Sequence, residues 1–226
     1  MIIYIIHYKK LKDRYLYLKE ALKNYSVEWI DFYDRDKLTP NELSWCNESL
    51  WSDRVVEIYR DAPPPRPLSS PEICNSLSHI EALKRIAFGE FEFGLVLEDD
   101  VILKQDFENK FQTLLGQTPL DYGLIFLGNA FSMKTLNRVG CNPSKEIKIT
   151  PNIYEKTSHP KTRTVDAYII KKEAAQSLVE KITKICLPFD FELSYFIQQL
   201  DLKVYWWDPG LIYQGSQIGR YRSSIR

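Results

Sequence analysis

Gly94-Leu95-Val96-Leu97-Glu98-Asp99-Asp100 is the stretch on which the reading of this chain turns. Gly94 to Leu97 is apolar without alternation, the pattern of a short strand covered on both faces at the centre of a sheet. It ends on three consecutive acids. Ligands of open α/β sheets bind at the carboxyl ends of strands, and that is where Glu98, Asp99 and Asp100 fall. Three adjacent carboxylates repel one another unless a cation or basic side chains compensate. A hard dication with oxygen ligands, Mg²⁺ or Mn²⁺, is one answer, and it could in turn hold a diphosphate. The other reading is an acidic loop that ends a strand and feeds the next turn.

Outward from this stretch, strand and helix patterns alternate, which predicts an α/β fold with a mostly parallel central sheet flanked by helices. Ile2 to His7 is a β-branched run of strand length, and Leu11, Tyr15, Leu18 and Leu22 then recur at helical spacing up to Asn24. Val27 to Tyr33 reads as a second strand. From Asp34 to Pro71 the periodicity is lost and the sequence passes through Asp61-Ala62-Pro63-Pro64-Pro65-Arg66-Pro67, a surface loop with one short helix near Asn41 to Leu50. Ser69 and Glu72 have capping-box spacing with Pro71 in the first turn, so a helix should run from Pro71 to Phe88. Ile73, Leu77, Ile80, Leu83 and Ala87 form its apolar stripe, leaving Asn75, Ser78 and Lys84 for other faces. Helices are expected at Asp106 to Leu115, Lys171 to Thr183 and Asp190 to Leu200. Strands are expected at Gly123 to Leu127, Val165 to Ile170 and Lys203 to Trp206, with a polar stretch up to His159 and an irregular tail.

The composition narrows the function classes. The 226 residues are 44% apolar, with 30 basic and 30 acidic side chains and no net charge. That predicts one domain over 1–226, with residues 34–71 as an excursion, and gives no global field for nucleic acid. With 9 glycines and neither GxxxxGK[ST] nor GxGxxG, glycine-rich phosphate loops are not expected. Cys46, Cys74, Cys141 and Cys186 form no CxxC pair and read as buried or free thiols. The apolar opening is followed by Lys9 and Lys10, the reverse of a signal peptide, and no apolar run approaches the ~20 residues of a bilayer span. A cytoplasmic location follows as an expectation, with peripheral association at the inner membrane face left open.

Single residues carry two readings each. His79 alone is a packed or capping histidine. Asp190, directly after Pro188-Phe189 and before a helical run, is either an N-cap or a general base facing the ligand pocket. Arg220, Arg222 and Arg226 are a solvated basic tail or phosphate contacts.

In order, the segments resemble glycosyltransferase family 25, which contains lipooligosaccharide and procollagen galactosyltransferases. The resemblance rests on Ile2-Ile3-Tyr4-Ile5-Ile6 with Lys12-Asp13-Arg14, on Glu72-Ile73-Cys74-Asn75-Ser76-Leu77-Ser78-His79-Ile80, and on Leu95-Val96-Leu97-Glu98-Asp99-Asp100-Val101. Asp166-Ala167-Tyr168-Ile169-Ile170, Leu187-Pro188-Phe189-Asp190, and Pro209, Gln214 and Ser223-Ser224-Ile225 continue it. His7-Tyr8 departs from the Asn-Leu of bacterial relatives. The resemblance implies a GT-A (Rossmann-like) fold, a nucleotide-sugar donor (UDP-galactose first), and transfer with inversion to a saccharide or hydroxylysine-type acceptor on a glycan, lipid or protein. It places Asp100 and Glu98 on Mn²⁺ or Mg²⁺. His7, Arg14, Ser78, His79, Asp99 and Gln214 fall at the donor, Asp190 is the base, and Glu192 is its reserve. Gln214, Gln217 or water is left to complete the metal shell. A binding module that kept the fold and lost the reaction, and a metal-dependent phosphohydrolase, are the alternatives.

Overall fold

The computed structural model describes residues 1–56, 66–128, 146–158, 160–162 and 164–223. Asp61 to Pro65 of the proline loop, Cys141, His159, Ser224, Ile225 and Arg226 lie outside the described residues.

β1 (Ile2–Ile6) is buried at every position, so both of its faces are covered. β2 (Val27–Ile30) and β3 (Phe93–Glu98) pair with it in parallel, on either side. α1 (Lys12–Ala21) connects β1 to β2 and turns Arg14 and Leu18, one helical turn apart, inward. α4 (Ser70–Phe88) leads into β3, preceded by three short helical pieces, α2 (Pro40–Leu43), a 3₁₀ turn at Glu48–Leu50 and α3 (Trp51–Val56). Among its described residues, the region expected to be loop with one short helix holds three short helical pieces instead of one. α2 owes its start to Thr39 and Glu42, which cap it reciprocally.

β4 (Val101–Leu103), α5 (Phe107–Gln117), β5 (Leu124–Phe126), β6 (Ile147–Lys148), β7 (Ile153–Glu155), β8 (Ala167–Lys171), α6 (Lys172–Lys181), α7 (Phe189–Gln199), β9 (Val204–Trp207) and β10 (Ile212–Gln214) complete the described elements. Eight strands form one sheet in the order β2-β1-β3-β8-β5-β9-β7-β6. β8 and β7 run against the other six. The sheet is thus mostly parallel in strand direction, but β8 lies antiparallel between β3 and β5. β10 pairs antiparallel with β4, so the tail expected to be irregular returns to the residues just after the acids.

Alternation along the strands splits the core in two. Tyr4, Ile6, Val96, Tyr168 and Ile170 face α4, α6 and α7, where Leu83, Leu178 and Leu193 are buried. Ile3, Ile5, Leu95, Leu97 and Ile169 face α1 and α5, with Leu18, Phe111 and Leu114. Covering both faces fixes β1 and β3 in register, with Ile6 beside Glu98. That register brings the carboxyl ends of both strands to one rim. Among the described residues, no helix is long and apolar enough to cross a membrane.

Candidate active site

The three acids part company at this rim. Asp99 is 6% exposed and fully engaged: it accepts from His7 Nδ1 at 3.0 Å, from the Tyr8 backbone N–H at 3.1 Å and from Arg14 Nη1. Arg14, 5% exposed, also donates through Nη2 to the Arg222 carbonyl and lies over the Tyr221 ring. Burial alone would raise the Asp99 carboxyl; the His7 hydrogen bond and the Arg14 charge outweigh it and hold the group below its ordinary value. Asp99 is thus held apart from Glu98 and Asp100, the two acids that the resemblance assigns to a cation. Basic side chains, the other compensation available to an acid cluster, have taken the middle one.

Glu98 and Asp100 are different. Glu98 Oε1 accepts from Asn75 Nδ2 at 2.7 Å and faces His79 Nε2 at 3.4 Å. Asp100 Oδ2 takes a long hydrogen bond of 3.4 Å from the Ser216 N–H, and its buried Oδ1 has no partner among the described residues. Burial, with smaller contributions from the Asp99 charge on Glu98 and the Glu98 charge on Asp100, pushes Glu98 up to about 7 and Asp100 up to about 6. Two buried carboxylates with no Lys or Arg paired to either among the described residues, one oxygen orphaned, suit a hard dication that takes one or two protein carboxylates and completes its shell with water and phosphate oxygens. Among the described residues no group of three or more His, Cys, Asp or Glu side chains is arranged to hold a metal by itself.

These residues open on a groove with two lobes. The narrower, about 630 Å³, is lined by His7, Tyr8, Arg14, Tyr33, Arg35 and Ser78 together with the acids. The wider, about 1460 Å³ and open to solvent, is lined by Arg66, Glu72, Thr164, Phe189, Asp190 and Phe191. Asn75, Glu98, Gln214, Ser216 and Ser223 line both and form the wall between them. Gly215 lets the tail reach this wall. Its N–H donates to the Asp100 carbonyl at 2.7 Å, and a Cβ there would lie 2.7 Å from that oxygen and 2.5 Å from the Tyr221 ring.

Asp190 does not cap α7. The helix begins one residue earlier, Pro188 occupies the N-cap, and Asp190 sits in the first turn with Oδ1 accepting from the Phe191 N–H at 3.1 Å. Its carboxyl belongs to the wider lobe, where burial, with a smaller contribution from Glu98, pushes it up to about 6. Glu192, the reserve base, is fully buried away from both lobes. It accepts from Arg54 and from the backbone N–H groups of Cys186 and Leu187, so its oxygens are spent holding the α7 entry.

His79 is fully buried and lines neither lobe. Its Nδ1 meets the Tyr168 hydroxyl at 3.1 Å and its ring stacks on Phe189 at 4.5 Å. Burial pushes it down to about 3, leaving a neutral imidazole. Ser78 and Gln214 line the narrower lobe as expected, and Gln217 lines the wider one. In the tail, Arg220 lies over Tyr17, and Arg222 contributes its carbonyl to Arg14. Cys74 and Cys186 are buried free thiols and Cys46 is a half-buried one.

Sequence reasoning missed Tyr8, Tyr33, Arg35, Arg66 and Asn75 as wall residues. For Asn75 a signal existed. Pro71, Asn75 and Ser78 follow i, i+4, i+7 on the face of α4 opposite its apolar stripe, and all three line the narrower lobe.

The chain is similar to procollagen galactosyltransferase 2 of Mus musculus and of Homo sapiens, at 27% identity over 96% of this chain and 36% of each relative. It therefore spans about a third of the length of these curated relatives. Procollagen galactosyltransferase 1-B of Xenopus laevis is 32% identical over 56% of this chain and 21% of its own. Among solved structures, mouse xyloside xylosyltransferase 1 in its apo form matches 89% of this chain and 70% of its own at 12% identity and a TM-score of 0.35, a loose correspondence. The family model described as "Glycosyltransferase family 25 (LPS biosynthesis protein)" matches residues 1–193, most of the chain and every acid discussed above, and the chain belongs to that family.

Proposed function

We propose that the protein is an inverting, cation-assisted hexosyltransferase of the GT-A type that moves galactose from a uridine diphosphate donor to a hydroxyl of a glycan or hydroxylysine-type acceptor. The observation that carries the reading is the groove itself. Glu98 and Asp100 reach it from the narrower lobe, Asp190 reaches it from the wider one, and the two lobes share a wall. The names of the relatives support galactose, and the family's description supports a glycan acceptor.

Mn²⁺ or Mg²⁺ on Glu98 and Asp100 would stabilise charge developing on the departing diphosphate. The other steps fall to the chain. The narrower lobe holds the nucleotide between Tyr8, Tyr33 and Arg35, while Arg14 and His7 keep Asp99 out of the cation's way. The wider lobe holds the acceptor against Phe189 and Phe191. Asp190, ionised at neutral pH yet more basic than an exposed aspartate, accepts the proton of the attacking hydroxyl. One displacement inverts the anomeric carbon and needs no covalent intermediate, so no activated serine or cysteine is required.

The test is turnover of UDP-galactose with a panel of saccharide and hydroxylysine acceptors, with and without Mn²⁺, with the product anomer read by NMR. Intact UDP and an inverted glycoside are expected. Turnover indifferent to Mn²⁺ and unaffected by Asp100→Ala overturns the mechanism. Nucleotide binding without transfer points to the non-catalytic module, and release of inorganic phosphate points to the hydrolase.

A further inference from the structure

His79 and Tyr168 have no place in the mechanism above, yet both are fully buried, and His79 lies against Glu98 and Phe189, which line the groove. Tyr168 stands on β8, the antiparallel strand beside β3, in register with Val96 two residues before Glu98. Its hydroxyl meets His79 Nδ1, His79 Nε2 faces Glu98 Oε1, and the imidazole stacks on Phe189, the neighbour of Asp190, at an interplanar angle of 4°.

Donor counting fixes the direction of this chain. A Glu98 that holds a cation is ionised and only accepts, so in that state the His79 proton toward Glu98 must be on Nε2; Nδ1 is then the acceptor, and the tyrosine O–H supplies its partner. Asn75 also donates to Oε1. Both donors thus fall on one oxygen, and Oε2 is the oxygen left for the groove.

The structure assigns Tyr168 and His79 as positioning residues that, through the relay Tyr168 O–H to His79 Nδ1 and His79 Nε2–H to Glu98 Oε1, present Glu98 Oε2 to the cation of the donor complex. This rests on the proposed cation-assisted transfer. Outer hydrogen bonds of this kind orient metal-binding side chains, and losing one costs roughly 10- to 100-fold in metal affinity.

Amide substitutions separate positioning from mere space-filling. The nitrogen of a glutamine reaches the place of Nε2, whereas an asparagine reaches only that of Nδ1. Mn²⁺ affinity is measured by calorimetry on the UDP-saturated full chain, with the melting temperature recorded for each variant. His79→Gln should bind Mn²⁺ within about 3-fold of the parent, His79→Asn at least about 10-fold more weakly, and Tyr168→Phe, which removes one hydroxyl and keeps the ring, between these. Equal affinities in His79→Gln and His79→Asn, or a parent-like Tyr168→Phe, overturn the assignment while leaving the transferase reading intact. A parent that binds no Mn²⁺ in the presence of UDP overturns both. If His79→Asn does not fold, Tyr168→Phe and His79→Gln still decide the matter.

Discussion

Asp99→Asn and Asp100→Asn change neighbouring residues by the same atom, and the structure predicts stability effects of opposite sign. Asp99 is the acid paired directly with Arg14, which is itself buried, and it accepts two further hydrogen bonds. Neutralising it leaves the guanidinium with the Arg222 carbonyl and no directly paired acid among the described residues. Breaking a buried pair from one side costs about 3–5 kcal/mol. At about 2–4 °C per kcal/mol for a chain of this size, the melting temperature should fall by about 6–20 °C. Because the folded-state value of Asp99 is depressed, its contribution is present above the unfolded value and is lost as pH falls through the folded one. The deficit should therefore be full at pH 7 and shrink below about pH 4.

Asp100 is the reverse case. Its folded value is raised to about 6, so the folded state resists the carboxylate, and the parent loses stability as pH climbs between about 4 and about 6. Asparagine removes that resistance. Without a cation, Asp100→Asn should be as stable as the parent or more stable by on the order of 1–3 kcal/mol at pH 7, with the difference gone below pH 4. The assay is urea unfolding in EDTA at several pH values. If Asp99→Asn costs under about 1 kcal/mol, or Asp100→Asn costs as much as Asp99→Asn, the division of the triplet into a structural acid and two cation-facing acids is wrong.

Three further outcomes follow from the same geometry. Asp190→Asn should lower transfer by about 10²–10⁴-fold at unchanged UDP affinity, and the parent's kcat/KM should rise with pH through about 6 as Asp190 ionises; a flat profile from pH 5 to 8 would remove it as the base. Glu192→Gln should cost about 3–5 kcal/mol of stability because Arg54 is left buried, while the folded fraction keeps parental kcat, as measured by urea unfolding and turnover per active site. Gly215→Ala should force the tail away from Asp100, costing about 1–3 kcal/mol and weakening UDP–Mn²⁺ binding; a parent-like crystal structure of the variant would contradict this.

How much of this was legible beforehand varies by element. β1 and β3 announced themselves because residues buried on both faces must be apolar at every position, and α4 because its cap, its proline and its stripe all agree. Glu72 fulfils the cap by accepting from the Ser69 N–H at 2.8 Å, and the Arg66 fork, the largest influence on it, holds its carboxyl down at about 2. β4 and β10, three residues each, are too short to show a period and exist because they pair with each other across more than a hundred residues. The reversed direction of β8 was illegible for another reason. Val165 to Ile170 would be apolar in either orientation, and only the path of the chain before it decides which.

At the site, the acids were visible as a cluster but not as two classes. Which one meets Arg14 depends on how α1 packs on the sheet, a tertiary fact. Of the two readings of Asp190, the cap fails because Pro188, with its fixed φ, takes that place itself.

The tail has a practical corollary for anyone purifying the protein. Ser223 lines both lobes, so a segment joined close behind it starts at the mouth of the groove. An oligohistidine affinity tag placed there would hang beside the acids, where its imidazoles could chelate Mn²⁺ and counterfeit or mask any dependence on the cation. A tag ahead of Met1 instead enters at the start of β1, the end of that strand remote from the acids.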